Sequence, residues 1–200
     1  MELPGLLDQH EDNLLPKDGI LEYIYPFIRT DYLEELISSV DWKQDHIQMF
    51  GKVTALPRLT AWYGDEGASY TYSGIENKPL SWFPLLLKLK KSVEQQCGLE
   101  FNSALLNYYR DGSDHMGWHS DDERELGTKP VIASLSFGAQ RRFQLKHKTD
   151  KGIEVITLEP KSGSLIVMKD VMQQYWNHKI SKTSKPIGPR VNITFRRISL

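Results

Sequence analysis

The sequence predicts an α+β fold, in which an amino-terminal part with helices packs on an all-β carboxy-terminal half. Residues 82–97 place their apolar side chains at the spacing of one helix face. After Gly98 the chain changes to short β-rich runs separated by turn residues. Many short strands without intervening helices indicate a sandwich or a jelly roll. No linker rich in Pro, Ser or Gly separates the two parts.

The chain is predicted to begin with an irregular leader and a short helix. Residues 1–19 contain two prolines and two glycines, and they lack the basic and apolar regions of a signal peptide. Residues 31–40 favour a helix, because Asp31 and Glu34 have the spacing of a capping box at its start.

A hairpin and a longer helix complete the amino-terminal part. Residues 46–63 contain a candidate hairpin around residues 50–52. In the helix predicted for 82–97, Pro84 suits the first turn and Gly98 suits the end. Its apolar face is expected to consist of Leu85, Leu86, Leu89 and Val93.

The carboxy-terminal half is predicted to contain six strands, each a short run with β-branched or aromatic residues. These runs are 103–109, 131–137, 141–147, 153–158, 164–169 and 191–198. Their close spacing leaves little room for helices between them, which favours the jelly roll.

The composition is that of a soluble single domain. The 200 residues are 40% hydrophobic and 26% charged, which provides enough apolar material for a core. No run of 18 apolar residues occurs, so we expect no membrane span. The single cysteine, Cys97, excludes an internal disulfide and favours a reducing compartment inside the cell, the cytoplasm or the nucleus. We expect a monomer.

The charges are distributed unevenly, although the net charge is only −1. Residues 141–200 hold 13 Lys and Arg against 4 Asp and Glu, whereas residues 1–140 hold 12 against 22. Such asymmetry indicates an anionic partner such as nucleic acid. Alternatively, the two segments interleave in space and their charges mix.

A metal-binding pattern lies in the second half of the chain. One residue separates His119 from Asp121, and His178 follows 57 residues after Asp121. In an extended segment, residues two apart point the same way and can share one ion. Two imidazoles and one carboxylate on one face of Fe(II) leave positions open for a chelating cosubstrate and O2. A solvated turn and a zinc site are the alternatives for this pattern alone.

Residues 190–196 alternate between polar and apolar side chains. The polar face consists of Arg190, Asn192, Thr194 and Arg196. Two arginines and an amide inside a barrel would form an anion site, and the planar guanidinium fork suits a dicarboxylate. A strand face exposed to solvent is the alternative.

Together these segments resemble the AlkB family of nucleic-acid dealkylating dioxygenases, in particular its DNA- and RNA-repair members of nucleated cells. The matching segments follow the family's order and cover most of the chain. They are PRLTAWYGD (57–65), YTYSG (70–74), NYYRDGSDHMGWHSDDE (107–123), ASLSFGAQRRF (133–143), GSLIVMKDVMQQYWNH (163–178) and PRVNITFR (189–196).

The resemblance implies a single dioxygenase domain over residues 1–200. Its core would be a double-stranded β-helix, or jelly roll, over 99–200, preceded by helices and a nucleotide-recognition lid over 1–98. Fe(II), 2-oxoglutarate and O2 would serve to oxidise an N-alkyl group, as on 1-methyladenine or 3-methylcytosine. The alkyl group would leave as an aldehyde, with succinate and CO2 as the other products.

The resemblance also assigns roles to individual residues. The resemblance identifies His119, Asp121 and His178 as the iron ligands. Arg190 would bind the far carboxylate of 2-oxoglutarate, assisted by Asn107, Tyr109 and Asn192. Arg196 would lie near the keto-acid end, and Thr194 would line the pocket. Asp122 and Glu123 would orient Arg196 or contact the target base. Asn107, Tyr109 and Thr194 are alternatively plain strand residues.

A methylated Watson–Crick nitrogen is accessible only in a flipped or unpaired base. Tyr70 and Tyr72 are candidates for a wall that stacks the base, and strand residues of the core are the alternative. Phe50 stands before Gly-Lys, as does an aromatic wedge in the duplex-DNA repair members, and a wedge fills the gap left by a flipped base. Packing in the core is the alternative for Phe50.

The wedge interpretation favours DNA over RNA, and duplex DNA over a single strand. Phosphate contacts are expected from among Arg58, Arg141, Arg142, Lys146 and Lys148. A demethylase of RNA or single-stranded nucleic acid with the same chemistry remains an alternative. A catalytically silent nucleic-acid-binding module is a more distant one, because the triad and both arginines are intact.

Overall fold

Two antiparallel β-sheets face each other in the structure, a computed structural model that describes residues 9–49, 52–68, 70–72 and 75–199. The strands are β1 (Gln9–Glu11), β2 (Ile20–Tyr25), β3 (His46–Met49), β4 (Lys52–Ala55), β5 (Leu59–Gly64), β6 (Tyr70–Tyr72), β7 (Ile75–Asn77), β8 (Ser103–Tyr109), β9 (Met116–His119), β10 (Ile132–Gly138), β11 (Phe143–His147), β12 (Ile156–Leu158), β13 (Ser164–Lys169), β14 (Trp176–Ile180) and β15 (Arg190–Arg196). The helices are α1 (Leu33–Ser39), α2 (Pro84–Cys97) and α3 (Met172–Tyr175), with a 3-10 turn at Arg124–Leu126.

The larger sheet has seven strands in the order β1-β2-β13-β10-β15-β8-β5. The smaller sheet has four, in the order β12-β11-β14-β9. Two separate hairpins are formed by β3 with β4 and by β6 with β7. Neighbouring strands run antiparallel in both sheets. This architecture confirms the predicted α+β fold with a jelly-roll core.

Strand β15 separates two hydrophobic cores, because its side chains alternate between the faces of the larger sheet. Val191, Ile193 and Phe195 pack in the core that includes the helices, where Leu86 and Leu89 are fully buried. Each fully buried leucine contributes about 1.5–3 kcal/mol. The second core fills the space between the two sheets. The polar face of β15 is therefore turned toward the smaller sheet.

Helix α2 agrees with its prediction. It begins with Pro84 in the first turn and ends at Gly98, which has a φ of 67°. A left-handed conformation at this position favours glycine, because a side chain there is strained. The four predicted apolar positions are all buried. None of the described helices is long and apolar enough to cross a membrane.

The capping box predicted at Asp31 and Glu34 does not form. Tyr32 occupies the position before α1, and no side chain caps that helix end. The Asp31 carboxylate instead accepts a hydrogen bond of 3.1 Å from the backbone N–H of Leu33, two residues later. Asp31 lies one position too early to cap the helix, so it closes a local turn.

The amino-terminal part contributes more strands than its sequence predicted. β1 lies inside the predicted irregular leader, and β2 and β5 extend the larger sheet beside β13 and β8. β9 and β14 were not predicted either, because MGWH and WNHKI are short and partly polar. The predicted hairpin is present, since β3 and β4 pair with Met49 opposite Lys52.

Candidate active site

Strands β9 and β14 bring together the three residues predicted to bind a metal. His119 at the end of β9 pairs with His178 on β14, and Asp121 follows two residues after His119. One ligand atom from each residue lies within 4.8 Å of the others. The ring centroids of the two histidines are 4.1 Å apart. Three donors at this spacing suit a single ion.

The histidine rings present lone pairs to the triad. His119 Nδ1 lies 2.9 Å from the Gly117 carbonyl oxygen. Because a carbonyl only accepts, Nδ1 is the donor in this contact, and Nε2 is the nitrogen left for a metal. Burial lowers the pKa of His178 to about 3, and the nearby His119 adds to this effect. His178 is therefore neutral at physiological pH, as metal binding requires.

Asp121 is buried and ionised. Burial, the largest single effect, would raise the pKa of its carboxyl, but Arg196, His178 and His119 together outweigh it and hold the pKa below its ordinary value. Arg196 Nη2 donates to Asp121 Oδ1 at 2.8 Å. The same carboxylate oxygen lies 3.9 Å from His119 Nε2. Arg196 therefore keeps the third ligand charged and oriented.

Gln173 on α3 is a supporting residue that sequence reasoning missed. Its Oε1 accepts a hydrogen bond of 2.9 Å from the backbone N–H of Asp121. Its Nε2 donates to the Met168 sulfur at 3.4 Å, and the side chain is buried. Lys148 Nζ donates to the backbone carbonyl oxygen of Gln173 at 2.8 Å and to Ser120 Oγ at 2.8 Å. This network fixes the segment that follows His119.

We expect Gln173→Leu to weaken metal binding by about 10- to 100-fold, which is typical for the loss of an outer partner of a ligand. The reason is that the buried N–H of Asp121 would lose its acceptor, so the backbone that carries the carboxylate would be held less firmly, although Arg196 still contacts the carboxylate. Titration of Mn(II) or Fe(II) without O2 measures this affinity. Gln174→Leu, an exposed neighbour, is the control. Equal metal affinity in both variants would show that Gln173 does not position Asp121.

Arg190 provides an unsatisfied positive charge inside the fold. Its guanidinium is buried, and Nη2 donates to Ser136 Oγ at 2.9 Å. Nε and Nη1 are also buried but have no hydrogen-bond partner among the described residues. Burial lowers the pKa of Arg190 from its ordinary value. A buried cation is unfavourable unless it is paired. An anionic ligand would supply the acceptors that these two nitrogens lack.

The other predicted cosubstrate residues surround Arg190 on paired strands. Arg190 is opposite Tyr109, and Asn192 is opposite Asn107. Asn192 Nδ2 donates to Ser134 Oγ at 2.8 Å, and its Oδ1 accepts from Thr194 Oγ1 at 3.2 Å. All of them line one cavity together with the triad, which we call the inner cavity. The sequence analysis did not include Ser134, which also lines this cavity, or Ser136, which accepts the hydrogen bond from Arg190.

A second, larger cavity adjoins the inner cavity. This outer cavity has a volume of about 190 Å³. Leu105 and Arg196 line both cavities, so the two are adjacent. Its charged lining residues are Asp41, Lys43, Asp45, Lys78, Glu123, Glu125 and Arg196. Trp62 also lines it and donates from Nε1 to Ser103 Oγ at 2.7 Å.

The structure describes only some of the residues that were predicted to contact the base. Glu123 lines the outer cavity. Asp122 is exposed and accepts hydrogen bonds from Ser120 at 2.8 Å and Lys148 at 3.3 Å, whereas Asp121 makes the ion pair with Arg196. Phe50 and the side chains of Tyr70 and Tyr72 lie outside the described residues.

Two arginines expected at phosphates are buried instead. Arg58 donates from Nε to Asn107 Oδ1 at 2.7 Å, so it supports a residue of the inner cavity. Arg141 donates to the backbone carbonyl oxygens of Asp111, Gly112, Asp114 and Ser181. The Arg141 guanidinium is committed to internal acceptors, so the expectation that Arg141 contacts a phosphate is wrong. The phosphate contact expected from Arg58 stays a prediction, because only its Nε is bonded internally. The sequence could not show that either arginine is buried, because burial depends on the fold.

The residues present fit an iron ion and a dicarboxylate. Two imidazoles and one carboxylate are the donor set of non-haem Fe(II). The free guanidinium nitrogens of Arg190 line the same cavity as the triad, where they suit the far carboxylate of a cosubstrate that also binds the ion.

Comparison with known proteins supports this interpretation. A family model described as the 2OG-Fe(II) oxygenase superfamily matches residues 22–196. DNA oxidative demethylase ALKBH2 of Bos taurus is 43% identical over 158 residues, which cover 76% of this chain and 57% of the relative. Alpha-ketoglutarate-dependent dioxygenase alkB homolog 3 of Mus musculus is 42% identical over 174 residues, 83% of this chain and 60% of the relative.

DNA oxidative demethylase ALKBH2 of Arabidopsis thaliana is 32% identical and is covered over 67% of its length. The chain thus spans 57–60% of the two animal relatives. A solved structure of OsALKBH1 superposes with a TM-score of 0.66 at 15% identity, over 94% of this chain and all of that chain. A prolyl hydroxylase from Trichoplax adhaerens superposes with a TM-score of 0.60 at 13% identity, over 90% of this chain and 83% of that chain. These structural likenesses show the fold.

Proposed function

Because this chain belongs to the 2OG-Fe(II) oxygenase superfamily, and within it to the AlkB family, we propose that it oxidatively removes alkyl groups from nucleic-acid bases. The observation that carries the proposal is the inner cavity, where the triad and the unsatisfied Arg190 lie together. The adjacent outer cavity offers room beside the metal site. Action on DNA would place the protein inside the cell, in the cytoplasm or the nucleus.

The chain's own residues would bind and orient the reactants. Iron bound here with 2-oxoglutarate and O2 would supply the oxidation of the N-alkyl carbon, which yields the unmodified base, an aldehyde, succinate and CO2. His119, Asp121 and His178 would hold the ion, and Arg190 would bind the far carboxylate of the cosubstrate. Arg196 would keep Asp121 ionised while lining the cavity that receives the base. Burial of Asp121 and His178 keeps bulk water from two of the ligands.

The charges of the outer cavity favour cationic bases. Its lining includes four carboxylates and three basic side chains, and one of these, Arg196, is paired with Asp121. Methylation of adenine at N1 or of cytosine at N3 gives a base with a positive charge. Excess carboxylates near the site would attract such a base. We therefore propose 1-methyladenine and 3-methylcytosine as targets. We propose DNA rather than RNA because the relatives of Bos taurus and Arabidopsis thaliana are DNA oxidative demethylases.

The test is mass spectrometry of methylated duplex DNA, single-stranded DNA and RNA after incubation with Fe(II), 2-oxoglutarate and O2. We expect loss of one methyl group from DNA, with one succinate per aldehyde. Preferred turnover of RNA would support the alternative of an RNA demethylase. A silent binding module would release no CO2 from labelled 2-oxoglutarate, and that result would exclude the proposed function.

The finer proposal of duplex DNA depends on Phe50. If Phe50 is a wedge, Phe50→Ala should lower activity strongly on methylated duplex DNA and little on the same lesion in a single strand. The reason is that flipping a paired base costs a few kcal/mol, and an inserted ring recovers part of that cost by stacking. The measurement is the ratio of duplex to single-strand rates for the variant and the unaltered chain.

A packing role for Phe50 predicts a different result. Truncation of a core phenylalanine costs roughly 3–5 kcal/mol of stability whatever the substrate. The melting temperature would then fall, and both activities would decrease alike. Val53→Ala is a suitable control, because Val53 belongs to the same hairpin and is 69% exposed. An unchanged rate ratio with a large loss of melting temperature would remove the main support for duplex DNA.

A further inference from the structure

The outer face of the smaller sheet carries a tryptophan with two lysines against its ring. Trp118 lies on β9, Lys179 on β14 and Lys146 on β11. Each lysine Nζ lies 4.5 Å from the centroid of the Trp118 ring. A cation at this distance is attracted by the electron-rich face of the ring. We call these three residues the tryptophan–lysine patch.

The patch lies on the face of the smaller sheet opposite to that sheet's buried side chains, although Lys179 also lines the inner cavity. In β11 and β14 the side chains alternate, and the neighbours Leu145 and His178 are buried toward the larger sheet. Lys146 and Lys179 therefore project from the opposite face. Trp118 is joined directly to the metal ligand His119, so the patch begins one residue from the active site.

The positive charge of the patch is not neutralised within the fold. The four strands of the smaller sheet all lie in the described part of the chain, and they contain no Asp or Glu. Of the carboxylates on adjoining segments, Asp122 pairs with Lys148 and Asp150 with Lys17, and no described carboxylate forms an ion pair with Lys146 or Lys179. The exposed Arg142 and Lys182 flank the same strands. Two ammonium groups held beside one ring repel each other, and an anion bound between them would offset that repulsion.

We infer that the tryptophan–lysine patch binds the phosphodiester backbone of the nucleic-acid strand that carries the target base. This inference rests on the proposed function, since a strand whose base enters the outer cavity continues past the active site. Lysines bind backbone phosphates with release of counterions. An aromatic side chain among basic ones is typical of surfaces that hold single strands, because a base can also stack on it.

The test compares two double variants that remove the same charge. Lys146→Gln with Lys179→Gln removes the patch lysines, and Lys88→Gln with Lys91→Gln removes two exposed lysines of α2, which packs on the far side of the larger sheet. Fluorescence anisotropy measures binding of a labelled single-stranded oligonucleotide with one 1-methyladenine, across a salt series. The chain is loaded with Fe(II) and 2-oxoglutarate without O2. Melting temperatures confirm that both variants are folded.

Loss of the patch lysines should lower the slope of log K against log salt by about 1.4, because each lost phosphate contact removes about 0.7 on a single strand. At 0.1 M salt this corresponds to a roughly 25-fold higher Kd. The α2 variant should bind like the unaltered chain. Equal binding by the unaltered chain and the patch variant would overturn the inference, as would an equal loss in both double variants, which would indicate net charge alone.

Two further measurements distinguish a nucleic-acid surface from a docking site for an acidic protein, and test the patch separately from the proposed function. If polyglutamate binds more tightly than the oligonucleotide and loses affinity in the same variant, the patch is a docking site for an acidic protein and the inference is wrong. Demethylation by the unaltered chain is measured in parallel with O2. Patch-dependent binding without demethylation would refute the proposed function and leave the nucleic-acid surface standing. Demethylation together with binding that does not depend on the patch would support the proposed function and refute the inference about the patch.

Discussion

Alanine in place of His119, Asp121 or His178 is expected to abolish the release of CO2 from 2-oxoglutarate and the demethylation of any base. The three ligand atoms lie within 4.8 Å of one another, and three ligands on one face leave none to spare. Loss of a ligand should therefore exceed the roughly 10- to 100-fold effect of an outer partner. Metal affinity, measured by Mn(II) titration, should fall in each variant together with turnover.

The control for these variants is His115→Ala. His115 lies four residues before His119 and bonds from Nδ1 to the Ser113 carbonyl oxygen at 3.1 Å, outside the triad. It should keep both metal affinity and turnover. Circular dichroism checks that each variant remains folded. Full turnover with iron bound in any one of the triad variants would refute the assignment of that ligand.

Arg190→Met is expected to weaken binding of 2-oxoglutarate by about 2–5 kcal/mol, or roughly 30-fold to 5,000-fold. Arg190 has two buried donor nitrogens without a partner among the described residues, so a carboxylate would gain charge-assisted hydrogen bonds there. Metal affinity should change little, because Arg190 is not one of the three ligands. Calorimetric titration of 2-oxoglutarate into the Mn(II)-loaded chain measures the effect.

The same variant gives a stability result of the opposite sign to that of Arg141→Met. Without a ligand, Arg190 is a buried cation that is only partly satisfied, so methionine should preserve or raise the melting temperature. Arg141 donates to four backbone carbonyl oxygens, so its replacement should lower the melting temperature because they would lose this donor. Unchanged affinity for 2-oxoglutarate in Arg190→Met would exclude Arg190 as its partner.

Patterns that depend on neighbouring residues predicted much of the fold. Helix α2 was predicted with its first proline, its terminal glycine and its four buried positions, because a helix repeats within a few residues. Strands β8 and β13 were predicted with their observed bounds. β9 and β14 were missed, because their pairing partners rather than their own residues make them strands. β2 was also missed, although its residues ILEYIY are typical of a strand.

The sequence by itself determined the chemistry that the chain offers. The spacing of His119 and Asp121 and the alternation of residues 190–196 predicted a triad and a polar strand face. Alternation shows which side chains share a face but not whether that face is buried. The tertiary structure decided that, because the smaller sheet covers the polar face of β15 and places His178 opposite His119.

The supporting contacts were decided only by tertiary structure. Gln173 reaches Asp121 across 52 residues, and Arg190 reaches Ser136 across 54. Such contacts depend on strand register and on the distance between sheets, neither of which leaves a periodic trace in the sequence. For the same reason Arg58 and Arg141, which look like surface cations in the sequence, are buried, while Lys146 and Lys179 meet at Trp118. Residue type and local spacing determine which groups can react, and long-range packing determines which of them meet.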